Sequence, residues 1–363
     1  MKRVLFFASD FNIGLSSLLT DQVLALHKSG IPVIAVAGER EQEAGLTQQL
    51  AELPHVYRIF GLDDHQQFRQ LSAQIAKIVK EQRIGVVHVQ NNWQLALVAY
   101  AKYVLLHDYR LKVVYTLHGF RHNHPFKSVV ARLVIGMALL LLSDRVICMS
   151  TYLKRKFCWL AYKIELLPLG IPDSFFPLKH ELPESSGLLM VFPAQFRYGK
   201  NQGMVISAFA QHIGNTGDDV SRLVLPGSGD MLESMKKMVG ELGIADRVEF
   251  PGQCSKEQIR QIYLRSNIGV VASNSETFGQ SIVEPFVLGR CVVTTPVGIA
   301  PDIMQEGVGG FFFHNSSELA GIMDRLYADT SLIIRCGASN FRHSGQFRWT
   351  AVTERYGNIL ERL

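Results

Sequence analysis

The chain has 363 residues, of which 47% are hydrophobic and 19% charged, and its net charge is +5. This length and balance exclude a disordered or collagen-like polymer and favour two packed cores over one. Residues 1–168 hold 20 Lys and Arg against 12 Asp and Glu, residues 169–363 hold 17 against 20, and the segment 77–163 holds 14 against 3. The first half is therefore expected to meet something anionic, and charge alone leaves a membrane surface, a phosphorylated acceptor and nucleic acid all open.

After Met1-Lys2-Arg3 the apolar run 4–8 is too short for a signal-peptide core and reads as a buried first strand. Short, continuously apolar strands are predicted at 3–7, 33–37, 56–60, 86–90, 112–117, 145–149 and 164–167, with helices at 15–29, 66–81, 93–107 and 126–142. The longest apolar run, 133–142, is only half of the roughly 20 residues that a bilayer crossing needs. Pro168-Leu169-Gly170-Ile171-Pro172 and the polar stretch after it break the rhythm, because two prolines and a glycine continue neither a helix nor a central strand. A second series follows, with strands at 188–193, 222–225, 247–250, 268–272, 291–295 and 310–313. Helices lie near 201–213, 230–242, 255–266, 280–288 and 316–329, and a terminal helix starts at about Phe347.

Repeated βα units imply parallel, doubly wound sheets with right-handed crossovers. The expected architecture is α/β, with two Rossmann-like halves facing a cleft. An N-terminal domain spans 1–170, a linker 171–186 and a C-terminal domain 187–345, and a terminal helix at 346–363 is expected to pack back on the first domain. Cys148, Cys158, Cys254, Cys291 and Cys336 are odd in number, widely spaced and free of any C-x-x-C, so they read as reduced core residues of a cytosolic protein. His118, His122 and His124 have neither cysteine nor carboxylate beside them, and no Asp-x-Asp closes a strand, so no metal site is expected.

The strongest local signal is Ser275-Glu276-Thr277-Phe278-Gly279-Gln280-Ser281-Ile282-Val283-Glu284-Pro285. Two carboxylates flank a strand-to-helix turn that Gly279 permits. The amides around Gly279, Gln280 and Ser281 would open the helix, where free N–H groups and a partial positive charge suit a diphosphate. Such turns sit at the carboxyl ends of strands, where ligands of these folds bind. Residue types alone fit equally well two surface glutamates and an ordinary helix-start glycine.

Glu-x7-Glu within Ser-Glu-x-Phe-Gly resembles the signature of glycosyltransferase family 4, retaining enzymes of the GT-B fold. Further pieces follow in family order: Gly14, His118-Gly119, Arg197 and Lys200, Pro226-Gly227-Ser228-Gly229-Asp230, Phe250-Pro251-Gly252 and Glu306-Gly307-Val308-Gly309-Gly310. The resemblance implies that Glu276 holds hydroxyls of the donor sugar and Glu284 the ribose. It implies that Arg197 and Lys200 neutralise the diphosphate and stabilise the leaving group in place of Mg²⁺. Gly14 would admit close approach to the phosphates, Gln253 and Cys254 would line the base pocket, and His118 would sit beside the transferred sugar. Gly227 and Gly229 serve either a turn or phosphate approach.

Three positions depart from the family pattern. Gln195 stands where an arginine is usual, so Arg197 is expected to supply that charge from nearer the lysine. Phe11-Asn12-Ile13-Gly14-Leu15 carries one glycine where two are common, and the linker asparagine is absent from Pro168-Leu169-Gly170-Ile171.

The implied function is metal-independent, cofactor-free transfer of a hexose or N-acetylhexosamine from a nucleotide-sugar, first of all a UDP-sugar, to a lipid-linked or lipopolysaccharide-type glycan. Lys154, Arg155 and Lys156, then Phe157, Trp159, Leu160 and Tyr162, and the helix 126–142 are expected to rest on anionic lipid at the inner face of the cytoplasmic membrane. The alternative reading makes 126–142 a buried crossover helix. Rival functions are a GT-B-fold nucleotide-sugar epimerase and a non-catalytic nucleotide-sugar-binding protein. Nucleic acid is not expected as a partner, since no recognised motif accompanies the charge.

Overall fold

A computed structural model describes residues 2–8, 13–39, 50, 53–118, 125–184 and 186–363, with side chains left undescribed at 13–17, 39, 60 and 125–128. Two compact units emerge. The first comprises Met1–Gly170 and Trp349–Leu363, the second Ile171–Arg348.

The first unit holds β1 (Arg3–Phe7), α1 (Ile13–Lys28), β2 (Val33–Glu39), β3 (Val56–Phe60), α2 (Phe68–Glu81), β4 (Ile84–Val89) and α3 (Asn92–Tyr100). It continues with β5 (Lys112–Leu117), α4 (Pro125–Leu142), β6 (Arg145–Cys148), α5 (Thr151–Arg155) and β7 (Ile164–Leu166). Its strands form one parallel sheet in the order β3-β2-β1-β4-β5-β6-β7, so the order reverses between β1 and β4. Val4, Leu5, Phe6 and Phe7 are all fully buried, as a strand covered on both faces demands. In α2 the buried residues Leu71, Ser72, Ile75, Ala76, Ile78 and Val79 recur at helical spacing and form one face. Asn91 caps α3 by accepting from the Gln94 amide, and the helix runs on into a π-helical turn over Ala101–Leu105.

The second unit holds β8 (Leu189–Val191), α6 (Gln202–Thr216), β9 (Arg222–Val224), α7 (Leu232–Glu241), β10 (Val248–Glu249), α8 (Lys256–Leu264) and β11 (Ile268–Val271). It continues with α9 (Gln280–Val287), β12 (Cys291–Thr294), α10 (Ala300–Ile303), β13 (Gly310–Phe312), α11 (Ser316–Ala328) and α12 (Ser331–His343). Its parallel sheet runs β10-β9-β8-β11-β12-β13, with the reversal between β8 and β11. A reciprocal Ser255–Gln258 capping box starts α8.

Helix α12 has no counterpart among the predicted elements. Its buried face includes Gly337, Ser339 and Asn340, which break an apolar stripe. Those residues have specific tasks. A Cβ at 337 would lie 2.3 Å from Gly289 O, and Asn340 Nδ2 donates to Arg290 O at 2.8 Å and Gly309 O at 2.7 Å.

The chain leaves the second unit at Arg348, and α13 (Trp349–Glu361) returns to the first. Trp349, Val352, Tyr356, Ile359 and Leu360 are buried there, each worth roughly 1.5–3 kcal/mol in apolar burial. Gly170 lies under the Trp349 ring, where a Cβ would come within 2.2 Å of ring carbon. Ser29 Oγ and Thr353 Oγ1 are 2.7 Å apart.

Side chains of α4 answer the choice between a buried and an exposed helix. Leu139 is buried, but Val129, Val130, Leu133, Val134, Met137 and Leu141 are exposed. Trp159 packs beside this face, its ring against Gly136. Phe157 and Leu160, read from the sequence as membrane anchors, are instead fully buried core residues, leaving Trp159 and Tyr162 at the surface. No helix among the described residues is long and apolar enough to cross a membrane. The cysteines are free, and Cys158 is exposed rather than in the core.

Candidate active site

In the second unit the predicted residues gather on loops at the carboxyl ends of strands. Beyond β8 the chain continues beside the loop that follows β9. Phe192 N donates to Val224 O at 3.0 Å, Ala194 N to Pro226 O at 3.0 Å and Phe196 N to Ser228 O at 2.9 Å. This contact requires Gly227 and Gly229. Their φ angles are +148° and +143°, and a Cβ would stand 2.0 Å from Ala194 O or 2.4 Å from Phe196 O. Close packing of the two loops is thus a sufficient reason for both glycines. Gly227 N in turn donates to Gly252 O at 2.8 Å, which draws in the loop carrying Gln253 and Cys254. Gln253 is exposed, and Cys254 Sγ donates to Gly252 O at 3.6 Å.

Asn201 ties the β8 loop to the one after β11. Its Nδ2 donates to Ala272 O at 2.9 Å and to Asn274 Oδ1, and Asn274 N donates to Gly199 O at 2.9 Å. The turn brings the Lys200 ammonium onto the Glu276 carboxylate as an ion pair, with side chains only 15% and 18% exposed. The cation expected at the diphosphate and the carboxylate expected at the sugar are therefore partners in this structure. Arg197 is exposed, and its guanidinium has no hydrogen bond or ion pair among the described residues.

Gly279 caps α9, and the amides of Gln280 and Ser281 lie in its first turn, where helical N–H groups lack intrahelical acceptors. The Ser281 hydroxyl is already engaged, donating to Pro193 O at 2.9 Å. Pro285 cannot donate back to Ser281 O, and the Tyr263 hydroxyl fills that gap at 3.3 Å. Glu284 is half-buried, and desolvation raises its carboxyl to about 7 against the opposing charge of Lys256.

Sequence reasoning missed Asn201, Asn274 and Gly298. The turn after β12 seats on the carboxylate loop: Ile299 N donates to Phe278 O at 2.9 Å, and at Gly298 (φ +57°) a Cβ would lie 2.4 Å from that oxygen. The run Pro296-Val297-Gly298 directly after a predicted strand was the available signal. Beneath the loop, Phe347 meets Phe278 and Phe286 edge-on at 6.4 and 5.9 Å.

His118 and Gly14 belong to the first unit. His118 follows β5, half-buried, with Nε2 2.9 Å from Gln90 Oε1. Gly14 falls in the first turn of α1. Residues 9–12 before it, and Gly119, His122 and His124, lie outside the described residues. Among the described residues no three His, Cys, Asp or Glu side chains group as metal ligands.

A family model described as Glycosyltransferase Family 4 matches residues 14–175, and one described as Glycosyl transferases group 1 matches residues 178–340. The chain belongs to glycosyltransferase family 4. The chain is 29% identical over 119 residues to the D-inositol 3-phosphate glycosyltransferase of Streptomyces bingchenggensis, covering 32% of this chain and 26% of that protein. Over 301 residues it is 24% identical to the alpha-monoglucosyldiacylglycerol synthase of Streptococcus pneumoniae, covering 77% of this chain and 67% of that protein. Structures of HepE from Anabaena with UDP and with UDP-glucose match the whole of both chains with TM-scores of 0.81 and 0.77 at 18% and 19% identity. That likeness shows the GT-B fold. The chain spans only 26–37% of the length of the first two D-inositol 3-phosphate glycosyltransferases it matches.

Proposed function

We propose that this glycosyltransferase moves a hexose or N-acetylhexosamine from a UDP-sugar to a hydroxyl of a lipid-linked or lipopolysaccharide-type glycan, retaining configuration and using no metal. The observation that carries the reading is the start of α9, with Glu276 and its Lys200 partner before it and the desolvated Glu284 carboxylate, without a hydrogen bond among the described residues, one turn inside it. UDP and UDP-glucose in the HepE structures, and the glycolipid named for the Streptococcus pneumoniae relative, support the choice of donor and acceptor class.

In this mechanism Glu284 accepts from the ribose, the α9 amides face the diphosphate, and Glu276 accepts from sugar hydroxyls. The acceptor oxygen bonds to the anomeric carbon on the face the nucleotide leaves. The C–O bond to the phosphate breaks with its electron pair, and the departing phosphate oxygen takes the acceptor's proton. Lys200 and Arg197 stabilise the charge that develops there, and the remaining catalysis is positioning. A thermal-shift screen of nucleotide-sugars, with and without EDTA, tests this. One nucleotide-sugar is expected to stabilise the protein selectively and equally in both conditions. Silence toward every nucleotide and nucleotide-sugar would remove the site.

The enzyme rests peripherally on an anionic membrane through α4. Exposed Val129, Leu133, Met137 and Leu141 recur every four residues as a continuous stripe, with Trp159 and Tyr162 alongside. The segment 77–163 that contains it carries 14 basic to 3 acidic residues, each nearby cation worth about 1 kcal/mol at an anionic surface. Flotation with phosphatidylglycerol vesicles is expected, weakened by salt, and absent with phosphatidylcholine alone. Leu133→Glu with Met137→Glu should abolish it while leaving donor stabilisation intact. A concentration-dependent dimer broken by the same pair, with no flotation, would assign the stripe to a second copy.

A further inference from the structure

β4 and β5 are parallel neighbours, with His88 opposite Val114 and Val89 opposite Tyr115. Alternate residues of a strand point the same way, so 88 and 90 share a face, as do 116 and 118. Across that face the side chains pair in two rungs. His88 Nε2 lies 2.7 Å from Thr116 Oγ1, and two residues on, Gln90 Oε1 lies 2.9 Å from His118 Nε2. The first rung is closed from behind by Tyr356, whose hydroxyl is 2.8 Å from His88 Nδ1.

Gln90 is a built element of this arrangement. It is 2% exposed, and its backbone N–H donates to Gln94 Oε1 at 2.8 Å, with Gln94 itself 1% exposed. With the Gln90 amide oxygen, which only accepts, turned toward the ring, the His118 Nε2 facing it carries the proton, and Gln90 Nε2 is buried without a hydrogen bond among the described residues. His88, the titratable neighbour behind it, is itself held neutral, with burial and then His118 driving it down to about 3.

We propose that Gln90 is a positioning residue for His118: it accepts from the imidazole Nε2–H, so selecting the tautomer protonated there, and aligns the ring at the end of β5. The role in transfer rests on the reading of His118 as facing the transferred sugar. Nothing in the family resemblance assigned a task to Gln90.

The test pairs spectroscopy with kinetics. In ¹⁵N spectra of the whole protein, the His118 ring, identified by its loss in His118→Ala, should report the Nε2 proton. Gln90→Met should erase that tautomer preference. Gln90→Glu should raise the His118 titration midpoint, because a carboxylate opposite Nε2 favours the cation. UDP release from UDP-glucose should fall on the order of 10²-fold in Gln90→Met, with KM little changed, as expected for a misplaced ring. In a His118→Ala background the same substitution should cost nothing more, whereas a merely structural role would remain additive. UDP-induced thermal shifts check that each variant is folded. A proton on Nδ1, an unmoved spectrum in Gln90→Met or an additive double variant overturns the proposal. If the tautomer changes as expected but neither Gln90→Met nor His118→Ala alters turnover, the reading of His118 fails, and the positioning role falls with it.

Discussion

Glu276→Ala should lower sugar transfer on the order of 10³-fold, the scale of losing one preorganised polar contact to the reacting group. The side chain is 18% exposed and paired with Lys200, so the substitution has a second consequence. It leaves a lysine that is 15% exposed without its carboxylate, at a cost of about 1–3 kcal/mol. Lys200→Met in the same chain should restore much of that stability and none of the activity. UDP binding should persist in Glu276→Ala, because the α9 start and Glu284 are untouched. Steady-state UDP release, urea unfolding and UDP titration calorimetry separate the three effects. Normal turnover in Glu276→Ala would move the sugar site elsewhere.

Affinity for UDP should depend on pH through Glu284. Its carboxyl is raised to about 7, and the ribose hydroxyls need the ionised form as acceptor. Below pH 7 the site must first lose a proton, so affinity should fall toward tenfold per pH unit. Above pH 8 it should level off. Stability of the unliganded protein runs the other way. The folded carboxyl holds its proton more tightly than the unfolded one, so stability is full near pH 4 and declines as pH rises toward 7, by at most about 3 kcal/mol. Glu284→Gln should flatten both profiles, weaken UDP binding at pH 8 and stabilise the unliganded protein there. Calorimetry and urea unfolding at pH 6, 7 and 8 provide the check. A pH-independent wild-type affinity would take Glu284 out of the nucleotide site.

All thirteen strands described here were legible because each is a short apolar run between turn residues, the pattern of a sheet covered on both sides. The carboxylate turn was equally plain, since Gly279 ends one period and the next begins at Gln280. What stayed hidden depended on contacts across sequence. Nothing in Ser331–His343 signals that Asn340 will bridge two backbone carbonyls. Nor does the 154–162 stretch reveal that Phe157 and Leu160 point inward while Trp159 points out. The Lys200–Glu276 pairing joins residues far apart in sequence and follows from Asn201 stitching two loops, for which composition carries no signal.

The return of α13 to the first unit sets an order on synthesis. The sheet of that unit is complete at Leu166, but the helix that covers His88 with Tyr356 is made only after residues 171–348. At ribosomal speeds this is a delay of roughly 10 to 40 s. For that interval the nascent first unit stands with the α13 groove open, its buried histidine lacking the Tyr356 hydroxyl at Nδ1 and the apolar seats of Val352, Ile359 and Leu360 exposed to solvent. The second unit has no such debt, because every strand and helix it needs leaves the ribosome in one continuous stretch. Ribosome-associated chaperones should therefore engage the first half of this chain and release it only as the last helix emerges.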